Sequence, residues 1–101
     1  MKIGVRVQDR CLELYLKGEL DHHGARGVMD ELDREIALAL PLKLILDFRA
    51  VSFMDSSGIA VVMRARQRMQ ELGGTVRLRG LAAQPRKVLD AAGISRLVEM
   101  E

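Results

Sequence analysis

The sequence predicts an α/β domain: a mixed, mostly parallel β-sheet with an antiparallel first strand and helices packed mainly on one face. Three observations carry this. Two short runs at the start alternate apolar and polar residues, the period of half-buried strands. After them, strand-like and helix-like segments take turns, which implies right-handed crossovers and parallel pairing. One of the later strand segments, "LKLILDF", is almost wholly apolar, as expected of a strand at the centre of a sheet.

The elements follow in order. In "KIGVRVQDRCLELYLKG", Ile3, Val5 and Val7 share one face, and Leu12, Leu14 and Leu16 share the next. "QDR" turns the chain between them, so the pair reads as a hairpin whose second strand ends at Gly18. "ELDHHG" reads as a loop. A helix follows over "ARGVMDELDREIALAL", with Val28, Leu32, Ile36 and Ala39 on one stripe, Asp30 paired to Arg34 at i,i+4, and Pro41 as the stop. "LKLILDF" is the third strand and "RAVSFMD" the connection beyond it. The second helix runs from Ser56 to Leu72, presents Ile59, Val62, Met63, Met69 and Leu72, and is closed by Gly73-Gly74. "TVRLRGL" is a fourth strand. "QPRKVLDAAG" is a short helix with Pro85 near its start and Gly93 past its end, and "LVEM" is a last short strand.

The 101 residues form one domain, residues 1–101. Aromatic residues make up only 3% of the chain, so aliphatic side chains must fill the core, and a base-stacking platform for single-stranded nucleic acid is excluded. The net charge of +2 is small and lies in the second half; it permits an electrostatically guided protein partner without demanding a polyanion. Cys11 is the single cysteine, so neither an internal disulfide nor a cysteine-based zinc site is available, and it reads as a small buried hydrophobe. No apolar run approaches membrane-spanning length, and a reducing cytoplasm is the expected location.

The chemistry-bearing stretch is "FMDSSGIAVVMRARQRM". Asp55 and Ser56 suit the N-cap of the second helix, since their oxygens accept from first-turn amides. Gly58 does not fit that role. Glycine in a first turn costs about 1 kcal/mol relative to alanine, and it leaves the helix start bare to an approaching group. A hydroxyl at Ser57 would stand where free amides and the positive end of the helix dipole favour an anion. A phosphate there would add about −1.5 to −2 charge beside Asp55 while the scaffold stays folded.

"GELDHH", "LILDFRAVSFMDSSGIAVVMRARQRMQELGGTVRLRG" and "PRKVLDAAGI" together closely resemble the STAS domain, and more narrowly the bacterial anti-sigma-factor antagonists of the sporulation stage II type. The resemblance runs from about Ile3 to Val98. It implies that Ser57 is the phosphoacceptor of an anti-sigma factor that is itself a serine kinase and binds the ATP. The unphosphorylated antagonist binds that kinase and frees its sigma factor; phosphorylation ends the binding, and a serine phosphatase restores it. Asp21, His22, His23, Asp55, Ser56 and Gly58 are implied as the partner surface. The chain is then a regulator and not an enzyme, with no cofactor, metal, direct nucleic-acid or membrane contact. The alternative inside the same fold is a stand-alone subunit of a lipid-transport complex or a sensor scaffold. The family pattern is departed from at Gly24, where a Thr-like helix cap is common, and in the lack of a counterpart to the family's C-terminal helix.

Other constellations compete less well. His22 and His23 are neighbours and point apart, which is poor geometry for one metal. Ser57, His23 and Asp21 supply the residue types of a hydrolase triad, but without a G-x-S-x-G elbow. Arg64, Arg66, Arg68, Arg77 and Arg79 raise nucleic acid; with no binding motif beside them they read as solvated faces, Arg68 eased by Glu71.

Overall fold

A computed structural model describes residues 1–101. The elements run β1 (Lys2–Gln8), β2 (Cys11–Leu20), α1 (His22–Ala39), β3 (Lys43–Met54), α2 (Ser57–Glu71), β4 (Thr75–Arg79), α3 (Ala83–Ala91), a 3₁₀ turn (Ile94–Arg96) and β5 (Glu99–Met100). The sheet order is β1-β2-β3-β4-β5. β1 pairs with β2 antiparallel, and the remaining pairs are parallel. This is the α/β arrangement that the alternation of segments predicts.

Asp9 and Arg10 alone form the hairpin turn, both at positive φ (52° and 60°), the backbone whose twist matches the flanking strands. Leu12, Leu14 and Leu16 point to the covered face of the sheet, with Leu44, Leu46 and Leu78, and all are buried. Val28, Leu32 and Ile36 of α1 and Val61, Val62, Ala65 and Met69 of α2 close over them. The opposite face is polar and more open. There Arg79 donates to Asp47 (3.1 Å), lies 3.5 Å from Glu13 and stacks over Tyr15. The Tyr15 hydroxyl donates to Glu13 and holds its carboxyl below the usual range. Cys11 is half-buried and not a core residue, because its odd position in β2 faces this open side.

Several boundaries differ from the sequence reading. β2 does not end at Gly18; it continues to Leu20 through a register shift beside Gly18, whose φ is +118°. β3 absorbs the expected connection and reaches Met54, because β2 pairs with it along that length. Arg34 pairs with Glu31, one turn before it, and not with Asp30. Arg68 turns to Asp33 of α1, not to Glu71; Arg64 joins it there, so one carboxylate staples α1 to α2.

Candidate functional site

Parallel pairing decides what meets what. Leu20 is the register partner of Met54, at the C-terminal ends of β2 and β3. The next residues, Asp21 and Asp55, therefore leave the sheet side by side and open α1 and α2. Asp55 N donates to Leu20 O (3.3 Å) and ties the two turns together. Two helix starts and two carboxylates thus share one end of the domain, where parallel sheets usually place their sites.

Asp21 is the N-cap of α1. Its side chain accepts from Gly24 N at 2.8 Å, and this bond holds its carboxyl below the usual carboxylate range. The "ELDHHG" loop does not exist as read. His22 and His23 form the first turn of α1, and both are exposed. Gly24 is not a defective cap but a close approach: a Cβ there would lie 2.6 Å from Glu19 O.

At α2 the capping carboxylate is Asp55, whose Oδ1 accepts from Ser57 N at 2.8 Å. Ser56 occupies the N-cap position with helical φ and ψ and makes no side-chain cap. The amides expected to be free are already bonded: Gly58 N donates to Asp55 O (3.1 Å) and Ile59 N to Ser56 O (3.1 Å). An anion on Ser57 would therefore meet the dipole and the Asp55 carboxylate, not a set of open donors. Ser56 is exposed and Ser57 half-buried, so both serines can be reached from outside.

Gly58 departs from the reading of a bare helix start. It is buried, and a Cβ on it would stand 2.3 Å from Met54 Sδ and 2.4 Å from Met54 Cγ. The space is filled from within by the last residue of β3. Gly58 thus supports the site and does not line its surface.

A feature without any sequence signal lies beneath. Met54 N donates to Gln84 Oε1 (2.9 Å), and Gln84 Nε2 donates to Met54 O (2.7 Å). The α3 side chain brackets the backbone just before Asp55.

The residues of the competing constellations have partners of their own within the domain. Asp21 accepts from Gly24 N and caps α1, and His23 lies exposed in the turn that follows. No group of three His, Cys, Asp or Glu side chains gathers to hold a metal. The arginines are tied within the domain: Arg64 and Arg68 to Asp33, Arg66 to Leu97 O, Arg77 to Glu99 and Glu101, and Arg79 to Asp47. No helix is long and apolar enough to cross a membrane.

The fold has counterparts among known proteins. The family model of the STAS domain matches residues 2–101. The Anti-sigma F factor antagonist of Paenibacillus polymyxa is 28% identical over 83 residues, covering 82% of this chain and 71% of that protein. The solved structure of the anti-sigma factor antagonist SpoIIAA in its unphosphorylated form superposes with a TM-score of 0.76 at 25% identity, over 99% of this chain and 87% of that one. The phosphorylated form of SpoIIAA, described as a Bacillus cell fate determinant, gives 0.76 at 25% identity, over 99% and 91%.

Proposed function

From the premise that the chain belongs to the STAS domain family, we propose that it is an anti-sigma-factor antagonist whose partner binding is switched by phosphate on Ser57. The unphosphorylated chain binds an anti-sigma serine kinase and frees its sigma factor. The kinase then transfers phosphate to Ser57 from its own ATP, binding ends, and a serine phosphatase resets the chain. The protein works as a cytoplasmic regulator, without catalysis of its own.

The observation that carries this reading is the Leu20–Met54 register, which sets Asp21 beside the Asp55–Ser57 turn. In the transfer the Ser57 oxygen forms the new bond to the γ-phosphorus, the bond to ADP breaks, and the hydroxyl proton passes to the kinase. The product adds about −1.5 to −2 charge beside Asp55, at the end of the domain that also carries Asp21. Repulsion within that cluster is modest in water. It grows when a partner covers the surface and excludes solvent, because the local dielectric falls. Phosphate therefore penalises the complex more than the free domain, as a switch on binding requires. The likeness to SpoIIAA, solved in unphosphorylated and phosphorylated forms, supports the same reading.

Incubation with Mg-ATP and the anti-sigma kinase of the same organism, followed by peptide mass spectrometry, tests the acceptor. One phosphate on Ser57 is expected. Modification of Ser56, or none, would refute the assignment.

A further inference from the structure

We infer that Gln84 is a positioning residue for the acceptor turn, and that through it α3 sets how well Ser57 is presented for phosphoryl transfer. The inference rests on the reading of Ser57 as phosphoacceptor.

The need for such a residue follows from the sheet. β3 pairs with β4 only as far as Asp47–Arg79, whereas β3 runs on to Met54. Residues 48–54 overhang on that side, with no strand beside them. Along a strand, a residue presents its N–H and C=O to the same neighbour. Asp55 N points to β2, where Leu20 O accepts it. Met54 therefore faces the side that β4 has left, and its two backbone groups would otherwise lack a protein partner. Gln84 supplies both with one amide: its Oε1 accepts from Met54 N at 2.9 Å and its Nε2 donates to Met54 O at 2.7 Å. A side-chain amide thus replaces a missing strand at a single residue.

That residue is the foundation of the acceptor turn. Its side chain is fully buried and fills the space that Gly58 leaves open. Its carbonyl leads into Asp55, whose carboxylate holds Ser57 N. Gln84 itself belongs to the first turn of α3, anchored by buried Pro85 and Leu89. The line of contact runs from α3 to Gln84, to the Met54 backbone, to the turn. Gln84 is exposed, so its replacement opens no cavity in the core.

The test compares the wild-type chain, Gln84→Ala and Gln84→Glu as substrates of the anti-sigma kinase of the same organism with Mg-ATP, beside thermal melts and amide hydrogen exchange. Gln84→Ala should lower kcat roughly tenfold or more, as expected when a reacting group loses its fixed geometry. KM for the chain should change little, since the outer surface is intact, and the Met54 amide should exchange faster. Gln84→Glu can still accept from Met54 N–H but cannot donate to Met54 O, so its kcat should fall between the two. A fall in KM-based affinity alone, or an unchanged kcat in Gln84→Ala, would overturn the inference. Should Gln84→Ala fail to fold, Gln84→Glu decides by the same kcat criterion. A wild-type chain left unmodified at Ser57 would instead refute the acceptor reading on which the inference stands.

Discussion

Replacing Gly58 by alanine should destabilise the domain, although alanine is the better helix former. At an unconstrained helical position the change gains about 1 kcal/mol. At Gly58 the new Cβ would lie 2.3 Å from Met54 Sδ and 2.4 Å from Met54 Cγ, so something must move. Met54 has little freedom to do so: its side chain is fully buried and Gln84 brackets its backbone. Overpacking of this kind costs about 1–3 kcal/mol. The net loss should be up to about 2 kcal/mol, or up to roughly 10 °C in Tm for a domain of this size. Gly27 provides the matched control. It lies within α1 with nothing near the site of a Cβ, so Gly27→Ala should raise Tm. Urea and thermal melts of the two variants read the contrast directly. A Gly58→Ala chain as stable as Gly27→Ala would refute the packing argument and restore an open helix start.

Ser57→Ala should fold normally, since Asp55 and not Ser57 supplies the cap, and should bind the anti-sigma kinase while resisting phosphorylation. Ser57→Asp should weaken kinase binding in calorimetry yet hold its thermal stability, because a dipole attraction of about 0.3–1 kcal/mol opposes repulsion from Asp55. Asp33 carries a pH signature: the hydrogen bond from Arg64, joined by Arg68, holds its carboxyl below the ordinary 3.8. A depressed folded pKa contributes stability that is fully present above 3.8 and is lost as pH falls through the lower folded value. In melts across that range, Asp33→Asn should have a lower Tm at neutral pH and should lack this acid-dependent component.

The fold was legible because periodicity survives in the strands. Leu12, Leu14 and Leu16 alternate cleanly, and all three are buried as that pattern requires. The helix start at Ser56–Ser57 was legible for a different reason, since capping residues act locally. What escaped the sequence depends on partners far along the chain. β2 passes Gly18 because β3 lies beside it, and β3 runs to Met54 because β2 does. Gly24 and Gly58 read as weak helix positions, yet each is required by a neighbour from another element or turn: Glu19 O for one and Met54 for the other. Asp33 meets Arg64 and Arg68 across more than thirty residues. Gln84, before a proline in a short helix, has no local signature at all. Its role exists only where β3 outruns β4.

Phosphate at Ser57 is expected to disable binding without disturbing the fold. Calorimetric titration of the anti-sigma kinase with the unmodified chain and with the chain phosphorylated at Ser57, each also followed in a thermal melt, tests it most directly. The expected result is a clear loss of affinity, on the order of tenfold or more (about 1.4 kcal/mol), with melting temperatures that nearly coincide. Equal affinities for the two forms, or a phosphorylated chain that melts early, would contradict it.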